Sequence, residues 1–142
     1  MKKITLAALV IALFSFTGPS VKEGLEASFS RNYPTAQNVH WTDDQDGYTV
    51  SFIEKTVLTR INYDKNGKFT GSIRNYTEQF LPFYLTTVLT QKYPGQAIYG
   101  ITEIASPTDI VYFVKLESEK YWTSIRLDND GNTKVIERYK KG

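Results

Sequence analysis

Two short apolar stripes with helical spacing are each followed by a series of alternating apolar and polar stretches. Val21, Leu25 and Phe29 recur every four residues, and Leu81, Leu85, Val88 and Leu89 form a second stripe with the same period. That spacing predicts one amphipathic helix at the head of each half. Pro82 suits a first helical turn, where a missing N–H costs little. Pro34 and Pro94 end the helices, because the residue before a proline avoids the α region. Period-two alternation then predicts strands near 37–43, 47–54, 57–64 and 68–76, and again near 97–105, 109–117, 121–128 and 132–139. Asp46-Gly47, Asn66-Gly67 and Asp130-Gly131 are hairpin signals between them. Short links between consecutive strands imply an antiparallel meander. The expected fold is α+β: about eight strands, with two helices packed on one sheet face.

The two halves also match each other. One constant offset carries Val21, Leu25, Phe29, Tyr33 and Pro34 onto Leu81, Leu85, Leu89, Tyr93 and Pro94. A slightly larger one carries Tyr48–Phe52 onto Tyr112–Leu116 and Leu58–Gly67 onto Trp122–Gly131. One insertion near Ser106-Pro107-Thr108-Asp109 reconciles the two offsets. The chain is therefore read as a tandem repeat of a helix plus a four-stranded meander, with units at about 21–76 and 81–139.

The segment 1–20 stands apart. Lys2 and Lys3 precede an uncharged, mostly apolar run from Ile4 to Phe16, and Thr17-Gly18-Pro19-Ser20 breaks it. This is the layout of a secretory signal peptide at 1–20, with the domain at 21–142. The run is short of the roughly 20 apolar residues that span a bilayer. A buried N-terminal helix or an uncleaved anchor is the alternative. Cleavage after Ser20 implies a periplasmic or secreted product, with no membrane insertion afterwards.

Composition narrows the chemistry. Lys and Arg number 17 against 15 Asp and Glu, and two of the bases are Lys2 and Lys3. The remainder is neutral and lacks the basic field of a nucleic-acid binder. There is no Cys and a single His, His40. That excludes disulfides, thiolate chemistry and multi-histidine metal sites. A Ser-His-Asp triad would depend on His40, which alternation turns away from core-facing Val39 and Trp41, and no G-x-S-x-G is present. Asp64-Lys65-Asn66-Gly67 and Asp128-Asn129-Asp130-Gly131 place glycine fourth rather than sixth. They read as capped turns, not calcium loops. Asp43, Asp44 and Asp46 read as a solubilising hairpin tip. No carboxylate pair stands out for hydrolysis. No metal, cofactor or catalytic residue is expected.

Fourteen per cent of the chain is aromatic, and some of it falls on the wrong face for a core. Alternation sends Val50, Phe52, Ile61, Tyr63, Tyr112, Val114, Leu116, Thr123, Ile125 and Leu127 toward the helices. The opposite face carries Leu58, Arg60, Phe113, Lys115, Trp122 and Arg126. A sheet open on one side should be polar there. Phe113 and Trp122 break that rule beside Lys115 and Arg126, a mixture typical of binding hot spots. Cross-strand stabilisation of the sheet, or cover by a second copy of the chain, would also account for it.

Phe29-x3-Tyr33-Pro34-x4-Val39-x-Trp41, Tyr48-x-Val50-x-Phe52 and Tyr63-Asp64-x-x-Gly67 resemble the β-lactamase-inhibitor-like, PepSY-like proteins secreted by Bacteroides-type bacteria. Leu81-Pro82, Tyr93-Pro94, Tyr112-x-Val114 and Leu127-Asp128-x-Asp130-Gly131 repeat the pattern. Trp41 has only Ile101 as a counterpart, and the second half lacks an Asp43-Asp44-x-Asp46 turn. The resemblance implies a fold and an extracytoplasmic setting; its inhibitor name describes shape. The expected function is an exported, non-enzymatic module that recognises a protein or peptide through the open sheet face. A glycan binder and a carboxylate-only hydrolase are the alternatives.

Overall fold

A computed structural model describes residues 19–142; the apolar run at 4–16 lies outside the described residues. Helix α1 spans Val21–Asn32 and helix α2 spans Phe83–Lys92, the latter preceded by a 3-10 turn at Glu78–Phe80. The strands are β1 (Gln37–Asp43), β2 (Gly47–Glu54), β3 (Val57–Asp64), β4 (Phe69–Tyr76), β5 (Ala97–Ala105), β6 (Ile110–Glu117), β7 (Tyr121–Asp128) and β8 (Thr133–Lys140). Every expected strand exists, with ends that agree to within a residue. All eight form one antiparallel sheet in sequence order, β1 to β8. The fold is thus α+β.

The helix ends follow local chemistry. The Ser20 hydroxyl accepts the N–H of Glu23, whose carboxylate accepts the N–H of Ser20, a reciprocal capping box. Tyr33 N–H closes the last turn on the Phe29 carbonyl, and Pro34 then forbids another. At α2 the proline lies one position earlier than expected. Pro82 is the N-cap, its carbonyl accepting from Leu85 and Thr86 N–H, so Leu81 is buried ahead of the helix rather than within it.

Both helices lie on one face. Phe29 of α1 packs on Val50, Phe52 and Ile61, with Tyr33, Trp41 and Tyr63 around them. Leu85 and Leu89 of α2 pack on Ile101, Tyr112, Val114, Leu116, Ile125 and Leu127. The expected helix-facing set is buried throughout, Tyr63 only partly. Val39 is a correction. It is 42% exposed, because Asn38 takes a positive φ of 53° and the β1/β2 register slips between Gln37 and His40. An irregularity of this kind breaks the alternation that would have put Val39 inward. Trp41, beyond the slip, does turn inward and meets Phe29 edge-on at 5.7 Å. His40 is exposed.

Pairings recur at a fixed displacement. Val50 pairs with Ile61 and Phe52 with Thr59; Val114 pairs with Ile125 and Leu116 with Thr123. Leu58, Thr59 and Arg60 pair with Asn75, Arg74 and Ile73, while Trp122, Thr123 and Ser124 pair with Tyr139, Arg138 and Glu137. These pairs in the second half stand at one offset from their counterparts in the first, and the bulge between Ser124 and Ile125 ends the correspondence along β8.

The acidic turns spend their carboxylates internally. Asp64 Oδ1 accepts the N–H groups of Asn66 and Lys68; Asp128 Oδ1 accepts those of Asp130 and Asn132. The Asn132 side chain donates to the other Asp128 oxygen, and these bonds hold the Asp128 carboxyl below its ordinary range. Among the described residues no three His, Asp or Glu side chains converge on a point where a metal ion could sit. Gly47 has a different role from a simple hairpin glycine: a Cβ there would lie 2.0 Å from the Tyr63 carbonyl oxygen, so no larger residue fits against β3.

Candidate functional site

Strand alternation and register bring the six expected site residues to the sheet face that carries no helix. The Ile53↔Leu58↔Asn75↔Thr102↔Phe113↔Arg126 rung crosses β2 to β7. Beside it runs Arg60↔Ile73↔Ile104↔Val111↔Asp128. Leu58 is 50% exposed, Ile104 41% and Phe113 40%. This is a band of apolar side chains on a wet face, with Arg60 and Arg126 at its ends. Each exposed aliphatic costs roughly 25 cal/mol per Å² of apolar surface left in water, so the band is a standing incentive for association.

Phe113 and Trp122 do not form the single patch expected of them. Phe113 pairs with Arg126, whereas Trp122 pairs with Glu117, four residues along β6. At about 3.4 Å per residue the two backbone positions are ~14 Å apart, with the Lys115–Ser124 pair between them. Trp122 belongs instead to a second cluster. Its ring meets Tyr99 edge-on at 4.9 Å. Lys115 and Lys141 place their ammonium groups over it at 4.6 and 4.7 Å, within cation–π range. Lys115 also lies over the rings of Tyr99 and Tyr139. The neighbouring Tyr139 hydroxyl shifts the Lys115 pKa upward from its ordinary value. Lys141 is paired with Glu117.

A bulge connects the two clusters. The β5/β6 register shifts between Ile98 and Gly100, and Tyr99 emerges on the open face 59% exposed. Gly100 leaves open space where a side chain would stand. The result is a shallow groove of about 410 Å³ bounded by Tyr99, Phe113, Lys115, Asn75, Thr102 and Ser124. The sequence reading missed Tyr99, Tyr139, Lys141 and Ile104. Gly100 within a strand was the available signal, since an isolated strand glycine often marks a bulge. The placing of Tyr139 and Lys141 depends on β7–β8 pairing, which hydrophobic alternation alone does not specify.

The chemistry of this face is adhesive. It offers aromatic and aliphatic surface, the cationic heads of Arg60, Lys115, Arg126, Lys134 and Lys141, and the carboxylates of Glu117, Asp128 and Glu137, of which Glu117 and Asp128 are already engaged. Its tyrosine and lysine arrangement can dock an acidic or apolar surface.

No protein-family model and no curated protein sequence matches the chain. Solved structures do. A DUF2874 family protein from Bacteroides uniformis superposes with a TM-score of 0.53 at 18% identity, over 87% of this chain and 89% of that one. A protein from Bacteroides eggerthii that carries a provisional periplasmic designation gives 0.54 at 14% identity, over 87% and 90%. A BLIP-like protein from Bacteroides fragilis gives 0.55 at 14% identity, over 90% and 92%. These identities make the likeness one of fold, in agreement with the resemblance carried by the Tyr-Pro and Asp-x-x-Gly landmarks: the chain has the two-helix, eight-stranded fold of DUF2874 and BLIP-like proteins from Bacteroides.

Proposed function

We propose that this chain is an exported, non-enzymatic binding module that grips a protein or peptide with the open face of its sheet. The observation that carries the reading is the apolar band through Leu58, Ile104 and Phe113, exposed on a face without a covering element and bordered by Arg60, Lys115 and Arg126. The Lys2-Lys3 n-region and the apolar run to Phe16 support export, as does the periplasmic designation of the Bacteroides eggerthii neighbour. The BLIP-like name of the Bacteroides fragilis neighbour is in keeping with an inhibitor-like mode of action. The shared displacement of the β2–β3 and β6–β7 pairs, and of three pairs each in β3–β4 and β7–β8, supports an origin by duplication of a helix-plus-meander unit.

Glycan stacking is the weaker reading. Trp122, the ring best suited to a sugar, already carries two ammonium groups and a tyrosine edge. Sugar binding there would have to displace one of them.

Light scattering after size exclusion, on wild type and on Phe113→Ala, tests the proposal against self-association. A monomeric wild type leaves the face free for a partner, and periplasmic extract should then yield a heterocomplex that Phe113→Ala weakens. A dimer that Phe113→Ala dissociates would assign the face to a second copy and refute the partner reading.

A further inference from the structure

The helix side of the sheet carries a second cavity, unrelated to the open face. Helix α1 packs over β2 and β3 through Phe29, and α2 over β5 to β7 through Leu85 and Leu89. Neither covers the middle of β4, where the helix-side residues are Ser72 and Arg74, although Tyr76 at its end is buried in the α2 cluster. A groove of about 540 Å³ remains between the helices. That is the size of an ordinary small-molecule site. Tyr33, Phe52, Tyr63, Phe69 and Phe80 wall it with aromatic rings.

The floor is the Thr59↔Arg74 and Ile61↔Ser72 pairs. Arg74 Nη1 donates to both oxygens of Glu103 at 3.2 Å. Its hold on Glu103 thus uses a single nitrogen. The Nε and Nη2 edge, the one that takes a carboxylate side-on, makes no hydrogen bond among the described residues. Side-on guanidinium–carboxylate pairs are strong and geometrically specific. Lys55 stands at the groove end as a second cation. The nearby Glu54 carboxylate accepts from the Thr35 hydroxyl at 2.7 Å. The Thr59 and Ser72 hydroxyls add two short polar groups to the floor.

We infer that this inter-helix groove binds an apolar monocarboxylate, its carboxylate on the free edge of Arg74 and its hydrocarbon against the aromatic walls. The site is independent of the open-face reading, since it lies on the opposite side of the sheet. Hydrogen-bond geometry selects a carboxylate: Glu103 and Glu54 balance the charges of Arg74 and Lys55, while the Nε and Nη2 fork of Arg74, without a hydrogen bond among the described residues, matches the two oxygens of a carboxylate. The ring-lined walls select an aryl or alkyl body.

Isothermal titration with 4-phenylbutyrate and with its uncharged amide tests this, with amide NMR shifts to locate the ligand. The acid should bind at least roughly tenfold more tightly than the amide, the equivalent of one charge-assisted bond. Shifts should centre on Thr59, Ser72, Arg74 and Phe80. Ser72→Leu, which fills the floor, should weaken binding by roughly tenfold or more, as loss of a site does. Arg74→Lys keeps a cation for Glu103 but removes the planar fork, and should reduce the preference for acid over amide. Phe113→Ala should change nothing. Equal affinity of acid and amide, shifts on the open face, undiminished binding to Ser72→Leu, or no binding at millimolar ligand would each overturn the inference.

Discussion

Arg74 and Glu103 face each other across β4 and β5, with one guanidinium nitrogen 3.2 Å from both carboxylate oxygens. The Tyr76 hydroxyl donates to the same carboxylate at 2.6 Å, and its ring lies 5.2 Å below the Arg74 guanidinium carbon. Sheet order makes β4–β5 the sole ladder joining the first four strands to the last four. Glu103, 8% exposed, is thus a buried charge at the joint between the two halves.

Removal of either partner should therefore cost more than a surface pair would. Arg74→Met leaves the carboxylate unpaired and should destabilise by about 3 kcal/mol, the low end for a broken buried pair because Arg74 is part-exposed. Tyr76→Phe should cost about 2 kcal/mol, as a hydrogen bond to a charged group does. Urea denaturation of both single variants and the double variant measures these values and their coupling. Additive losses would show that the three side chains do not act together.

Burial pushes the Tyr76 phenol above its ordinary 10.0, and the hydrogen bond to and charge of Glu103 push it further. In the unfolded chain the phenol ionises near its ordinary value, while in the folded protein it keeps its proton. Stability from this group is full below about pH 10 and falls as pH rises beyond it. Melting temperatures between pH 8 and 11.5 should fall more steeply for wild type than for Tyr76→Phe. Parallel curves would contradict the assignment.

Ile61 and Ile125 occupy corresponding positions in the pairings of the two halves, but the core treats them differently. Ile125 is wholly buried, whereas Ile61 is 7% exposed and borders the inter-helix groove. Truncation at a closed site leaves a cavity, while a site at a groove wall opens to solvent. Ile125→Ala should cost about 4 kcal/mol and Ile61→Ala about 2 kcal/mol, within the range for such truncations. Chemical denaturation checks the order. A larger loss at Ile61 would mean that the groove closes in solution.

Trp122 should respond unequally to anionic and cationic quenchers. Two ammonium groups lie 4.6 and 4.7 Å from the Trp122 ring centre, so iodide is drawn to it and caesium repelled. In Trp41→Phe protein, iodide should quench the remaining emission more strongly than caesium does. Equal quenching would mean that Lys115 and Lys141 do not hold these positions.

The fold was legible because its signals are local. Helical stripes, period-two alternation and Asp-Gly or Asn-Gly turns each recur, and they placed every strand to within a residue. The errors trace to backbone irregularities. Asn38 turns Val39 outward, and the bulge at Ile98–Gly100 pushes Tyr99 into the open face. Each irregularity turns one residue out of the alternation while Trp41 and Ile101 beyond them still face inward, and the strand glycine Gly100 was the one hint of either. The faces of Leu58, Arg60, Phe113, Lys115, Trp122 and Arg126 could be read from alternation, whereas their grouping could not. Grouping depends on strand register, which separates Phe113 from Trp122 and joins Trp122 to Tyr99 and Tyr139. The Arg74–Glu103–Tyr76 contact was equally hidden, because it spans the β4–β5 junction that α2 interrupts in sequence.

Photo-cross-linking tests the open-face account most directly. p-Benzoylphenylalanine is placed at the position of Phe113 and, in a separate protein, at the position of Phe83, which is 85% exposed at the start of α2. Both proteins are irradiated in the exporting cell, and products are resolved by mass. The account predicts a discrete heterologous product from position 113, absent from position 83 and reduced when Arg126→Ala is added. A product from position 83 alone, or only a self-cross-linked dimer from position 113, would contradict it.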